Sequence, residues 1–297
     1  MFRVCMVALA LGLAACQTIP QPGWDLPVGV RTLPANGYPM AYVERGSGPT
    51  VVLVHGALWD YRYWEPQTTS LSPRFHIIAV SLRHYYPERW NGKGDDFSLR
   101  HHAEDLAVFI EGLGVGPVHV VGHSRGGRVA FEMARLRPDL VRKLVLMEAV
   151  WDSLLPAPNG AATPDPRPAR RKGAAARFER GDLEGGLEFY VDDVNGRGAW
   201  KRRTAQERQI AQDNAWTLIG EMGEPPQVVT CAEVGSLRMP VLLMGGEKSP
   251  RRFANILDVA QKCLPSAGRV TIPDAAHQMN RMNPTAFDAA LVNFLLD

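Results

Sequence analysis

Pro117-Val118-His119-Val120-Val121-Gly122-His123-Ser124-Arg125-Gly126-Gly127 is the stretch on which the reading of this chain turns. An apolar run ends in Gly-His-Ser-Arg-Gly, and residues 126–136 continue with a helical pattern that Pro138 stops. The passage therefore reads as a strand, a sharp turn carrying Ser124, and a helix. Such a turn strains the serine backbone and brings neighbouring chain close, which is why glycines flank it. In return the serine Oγ stands exposed at the positive end of a helix. A phosphate-binding glycine loop or an ordinary turn would also be glycine-rich, but the strand before and the helix after favour a nucleophile.

Outward from this turn, short apolar strands alternate with helices. Residues 51–54 (Val-Val-Leu-Val) form a continuous apolar run, as expected of a strand covered on both faces of a parallel sheet. Further strands are expected at residues 76–80, 118–121, 144–147 and 241–244, with 269–272 as an edge strand. Residues 28–33 and 40–44, separated by Asn36-Gly37, read as an antiparallel hairpin. Helices are expected at residues 98–113, with Ser98 as N-cap, and at 126–136, 251–264 and 284–296. The alternation breaks over residues 151–237. Prolines 156, 158, 164, 166 and 168 mark a loop there, followed by helical stretches at 173–195 and 204–222. The fold class is α/β: a mostly parallel central sheet with helices on both faces. Residues 28–150 and 238–297 make the core, and 151–237 form a helical cap inserted where open sheets bind ligands.

A serine hydroxyl needs a base within hydrogen-bond reach. Of the eight histidines, His277 follows the last strand in Pro273-Asp274-Ala275-Ala276-His277, a loop ahead of the final helix. Its place in the chain suits the order serine, acid, histidine. His55, His101, His102 and His123 read as turn or surface residues. Trp59, Trp64, His84 and Tyr85 follow strands and are candidates for an apolar substrate pocket, or plain packing. Arg83 and Arg125 are candidates for buried ion pairs or for carboxylate binding.

Val52-Leu53-Val54-His55-Gly56, the Ser124 turn, and Ala276-His277 with Asn283-Pro284 behind it resemble the α/β-hydrolase superfamily from about residue 38 to the end. The resemblance implies an oxyanion hole made by the backbone N–H groups of Ala57 and Arg125. Many relatives carry an aspartate in the turn that here reads Gly246-Glu247-Lys248-Ser249-Pro250, and Ser249 stands in its place. The strand ending Met147-Glu148 is similar to haloalkane dehalogenases and some lactone hydrolases, whose acid lies there. Glu148 is the first candidate acid, with Glu247 and Asp152 as alternatives. The expected activity is hydrolysis of a small-molecule carboxylic ester or lactone through an acyl-enzyme, needing no cofactor and no metal. A perhydrolase, an amidase, a C–C bond hydrolase, or a non-catalytic ligand binder of the same fold are the alternatives. Ser124 argues against dehalogenase and epoxide hydrolase chemistry, which use an aspartate nucleophile.

The chain of 297 residues is 45% hydrophobic and 22% charged, with 33 basic and 31 acidic residues. A net charge of +2 points neither to nucleic acid nor to a polybasic membrane patch. Residues 1–15 have the build of a secretory signal, too short to span a bilayer. Their end, Leu13-Ala14-Ala15-Cys16, resembles the lipobox of bacterial lipoproteins, which implies lipidation of Cys16 and, with Gln17 next, an outer-membrane anchor. Residues 16–27 are polar and proline-rich, as a tether should be. Export leaves Cys231 and Cys263, whose spacing fits no zinc motif. In an oxidising compartment they are a disulfide pair or two buried thiols.

Overall fold

The computed structural model describes residues 23–155, 167–224 and 228–297. Cys16, the expected signal segment at residues 1–15 and most of the expected tether lie outside the described residues. Eight strands make one sheet: β1 (Arg31–Ala35), β2 (Tyr38–Arg45), β3 (Thr50–Val54), β4 (His76–Val80), β5 (Val118–His123), β6 (Val141–Met147), β7 (Val241–Gly246) and β8 (Gly268–Ile272). Their spatial order is β1-β2-β4-β3-β5-β6-β7-β8. β2 runs antiparallel to β1 and β4, and every pairing from β4 onward is parallel.

The apolar runs are strands because both sheet faces are covered. Val52, Val54, Val120, Leu144 and Leu243 belong to one core cluster, whereas Val51, Leu53, Val121, Val145 and Leu242 belong to the other. Successive residues thus feed opposite layers, as a period of two demands. Helices Leu99–Gly112, Arg125–Leu136 and Arg251–Cys263 cover the first face, and helix Pro284–Leu296 covers the second. Ser98 caps the first of these helices by accepting the His101 N–H at 3.0 Å.

The hairpin is shifted from its expected bounds. Ala35 pairs with Tyr38 across Asn36 and Gly37, whose φ values of 48° and 73° suit the two-residue turn that Asn-Gly favours. Residues before Arg31 make their own turn, with the Val30 N–H bonded to the Pro27 carbonyl at 3.0 Å.

Among the described residues between β6 and β7 lie six α-helices: Arg167–Phe178, Leu183–Asn195, Ala199–Arg202, Ala205–Asp213, Thr217–Met222 and Cys231–Gly235. Two long helices were expected there. The first is interrupted at Gly181, which takes φ 77°, and at Asp182, whose carboxylate caps the next helix through the Gly185 N–H. The second is interrupted at Asn214, whose buried amide turns away to bond Asp60 Oδ2 at 2.7 Å and the Tyr86 N–H at 2.8 Å. The first five of these helices share their own apolar cluster, which Leu58 of the core joins. Residues Val229, Val234 and Leu237 pack instead into the first core cluster. A disulfide between Cys231 and Cys263 fastens that segment to helix Arg251–Cys263.

Candidate active site

The chain turns from β5 into helix Arg125–Leu136 at Ser124, which takes φ 52° and ψ −116°. A non-glycine residue with that backbone is strained, and such strain is characteristic of functional positions. The surroundings require it: a Cβ on Gly126 would lie 2.2 Å from the His55 carbonyl oxygen, so only glycine lets the turn pass beneath the His55-Gly56 loop. The Ser124 N–H donates to the Met147 carbonyl at 2.9 Å. That bond ties the turn to the end of β6, where the next residue is Glu148.

Glu148 also has a positive φ, 44°, and is 1% exposed. Its N–H donates to the Met244 carbonyl at 3.0 Å. One carboxylate oxygen accepts the Gly246 N–H at 2.8 Å, and the other meets His277 Nδ1 at 2.5 Å. A buried carboxylate is costly unless paired and hydrogen-bonded, and both of its oxygens are. The other two candidate acids lie elsewhere. Glu247 is exposed and accepts the Asp274 N–H at 2.9 Å, and Asp152 faces Arg252 at 3.5 Å. Ser249, in the turn where the family resemblance puts an aspartate in many relatives, has a buried hydroxyl without a hydrogen-bond partner.

Two further contacts hold His277, and neither was legible from spacing. Phe253 stacks on the imidazole with ring centroids 4.3 Å apart. His123 Nε2 donates to the His277 carbonyl at 2.8 Å, so the residue before Ser124 clamps the loop that carries His277. Burial and then the neighbouring His277 hold the His123 pKa well below the ordinary histidine range, which keeps this clamp neutral. Tyr63 stacks on the far face of the clamp at 4.9 Å.

The Gly56-Ala57 loop is pinned by His55. Its Nδ1 donates to the Gly56 carbonyl at 2.8 Å, and its Nε2 accepts the Leu82 N–H at 3.1 Å. Both ring nitrogens are thereby used, and burial draws the pKa down to about 4. His55 is a structural residue. Ala57, Ser124 and Arg125 border a cavity of about 30 Å3, closed from the cap side by Tyr190 and Val194. Arg125 opens its helix, so its N–H has no intrahelical acceptor. The Arg125 guanidinium is engaged in the cap, donating to both Glu224 carboxylate oxygens at 2.9 and 2.5 Å and to His102 Nδ1 at 3.1 Å. Arg83 is likewise ion-paired, with Asp105 and Asp96.

The four aromatic candidates do not border this cavity. Trp64 is fully buried against Tyr63 and Phe287. Tyr85 packs edge-on against His55. His84 stacks on Trp90 and binds Glu88 and Asp96. Trp59 lies on Tyr63, with the Arg203 guanidinium above it. Large rings following core strands are drawn into the core by the apolar area they bury, the packing alternative stated for them. Among the described residues no cluster of His, Cys, Asp and Glu is arranged to hold a metal ion.

Residues 49–280 match the family model of the α/β-hydrolase fold, and the chain belongs to that family of hydrolases. A curated relative, the 2-(acetamidomethylene)succinate hydrolase of Mesorhizobium japonicum, is 27% identical over 85% of this chain and 90% of its own length. Among solved structures, an α/β hydrolase from Sphaerobacter thermophilus superposes with a TM-score of 0.70 at 25% identity, over 89% of this chain and all of that one (100%). The carboxylesterase CesB from Bacillus subtilis shares the fold with a TM-score of 0.69 at 19% identity, over 92% of this chain and 93% of its own.

Proposed function

We propose that the protein is a serine hydrolase that cleaves a carboxylic ester or lactone through an acyl-enzyme. In this reading Ser124 attacks the carbonyl carbon, and His277 accepts the hydroxyl proton on Nε2. Glu148 holds the imidazole through Nδ1–H and stabilises the imidazolium that forms. The Ala57 and Arg125 N–H groups receive the oxygen that becomes negative, an interaction worth about 3–4 kcal/mol per donor. His277 then returns the proton to the leaving alkoxide. Water, deprotonated by the same imidazole, resolves the acyl-enzyme.

The observation that carries the reading is the 2.5 Å contact between Glu148 and His277, beside a Ser124 turn bonded to the residue preceding Glu148. A panel of alkyl esters, lactones and amides tested on the wild type and on Ser124→Ala decides it. Turnover of an ester or lactone by the wild type, lost in a folded variant, is the expected result; equal turnover by both removes the serine mechanism. A second reading, hydrolysis of a C–N bond by the same residues, is favoured by the name of the Mesorhizobium relative, which gives it a substrate bearing an acetamido group. Amide turnover exceeding that of the matched ester would select it.

The Leu13-to-Cys16 sequence supports a location outside the cytoplasm on a lipid anchor, and a Cys231–Cys263 disulfide suits an oxidising compartment. Incorporation of labelled palmitate, abolished in Cys16→Ala, is the outcome expected; incorporation that persists in the variant contradicts the anchor.

A further inference from the structure

A second and larger cavity, of about 230 Å3, adjoins the candidate site. It is bordered by Val191 and Asn195 of helix Leu183–Asn195, by Arg203 and Glu207 of the cap, and by His277 and Arg281 of the core. The cavity at Ser124 is bordered by Tyr190 and Val194 of the same helix. The two cavities therefore lie against adjacent rows of one helix, and His277 forms part of the wall of the larger one.

Arg203 is 7% exposed, and its Nε and Nη1 atoms are buried without a hydrogen-bond partner. The guanidinium lies 4.8 Å from the Trp59 ring centroid and 5.7 Å from that of Trp200, and these rings cannot satisfy its donors. The carboxylate bordering the cavity is already committed: Glu207 accepts from Arg281 Nε at 3.0 Å and from the Thr204 N–H at 2.9 Å. Arg202 also lines the cavity, which thus has three guanidiniums and one engaged carboxylate. Burial draws the Arg203 pKa down to about 10, Glu207 opposing the shift, so the group is still cationic at neutral pH. Asn195 Oδ1 is a second buried polar atom without a partner on the same wall. Buried polar atoms without partners are rare in folded proteins, and an unpaired buried charge is the costliest kind. Three other buried arginines, Arg125, Arg171 and Arg83, are each paired with a carboxylate.

We propose that Arg203 is the carboxylate-binding residue of a substrate subsite, and that the natural substrate is an ester or lactone carrying a free carboxylate. This rests on the hydrolase reading above. The planar guanidinium fork matches a carboxylate, and a cavity of about 230 Å3 with His277 in its wall is large enough to hold one.

Two measurements on the full chain separate this proposal from the reading it rests on. First, kcat/KM is determined for monoethyl and diethyl esters of dicarboxylic acids from malonate to adipate. The wild type should prefer at least one monoester to its diester. That preference should fall about ten-fold or more in Arg203→Met, chiefly through KM, and recover in part in Arg203→Lys. A purely structural role for Arg203 lowers both esters alike and leaves the ratio standing, which overturns the proposal, as does a wild-type preference for the diester throughout. Second, thermal denaturation is followed with succinate, glutarate, adipate or inorganic phosphate added. A dicarboxylate should raise the wild-type Tm and not that of Arg203→Met. No shift with any carboxylate, or a shift with phosphate alone, overturns the subsite. If no ester is turned over, the hydrolase reading fails, while the thermal shift still decides whether the carboxylate site exists.

Discussion

Replacing Glu148 with glutamine tests the assignment of the acid with almost no change of shape. In the native site one oxygen accepts the Gly246 N–H at 2.8 Å and the other faces His277 Nδ1 at 2.5 Å. If glutamine keeps its oxygen on Gly246, its NH2 group meets Nδ1. The imidazole must then carry its proton on Nε2, the nitrogen that has to accept the serine proton. If the amide rotates, two N–H donors oppose each other at Gly246 instead. The second arrangement would keep the productive tautomer only against that repulsion, so the first prevails, and loss of the tautomer in a serine triad lowers kcat by about 10^4-fold. At about 1.4 kcal/mol per factor of ten, the barrier rises by roughly 5–6 kcal/mol. The assay is kcat for an activated ester, with circular dichroism to confirm folding and Glu247→Gln as the control. A Glu148→Gln enzyme within ten-fold of the wild type, or an inactive Glu247→Gln, refutes the reasoning.

The remaining predictions concern stability. Burial depresses the His55 pKa from about 6.5 to about 4, so its contribution is complete above pH 6.5 and is lost as pH falls through the folded value. Urea denaturation should record about 3 kcal/mol less from this group at pH 4 than at pH 7, a difference absent in His55→Gln; the same pH dependence in both proteins contradicts this. Cys231 and Cys263, 32 residues apart, restrict the unfolded chain by about 3–4 kcal/mol, so reductant or Cys263→Ser should lower Tm by roughly 10 °C. An unchanged Tm rules that out. Gly126→Ala drives a Cβ to 2.2 Å from the His55 carbonyl oxygen and should cost about 3 kcal/mol or more. A cost below about 1 kcal/mol shows that the turn yields more readily than its packing implies.

The core strands and the Ser124 turn were legible because each leaves a local mark. A strand buried on both faces is a continuous apolar run, and the turn needs glycine at fixed offsets. Asn36-Gly37 announced its hairpin for the same reason, although the strands are offset from their expected bounds. Glu148 could be singled out only through a resemblance, since nothing local separates it from Glu247. What separates them is tertiary: the parallel pairing of β6 with β7 and the loop after β8 bring the Gly246 N–H and His277 to Glu148, while Glu247 points to the exposed Asp274. The His123 clamp and the Phe253 stack join positions more than a hundred and about twenty residues apart, respectively, with no motif to mark them. Arg203 carries no mark in the sequence, because an arginine without a carboxylate partner looks like any solvated one until its burial is seen. Trp64 and Tyr85 are buried in the core and do not border the Ser124 cavity, a distinction that their place after a strand does not make.

Covalent labelling with a fluorophosphonate, followed by mass mapping of the modified peptide, tests the central claim most directly. The account predicts a single adduct on Ser124, abolished in Ser124→Ala and strongly slowed in His277→Gln. A folded wild-type protein that fails to react, or that carries the adduct on another residue, contradicts it.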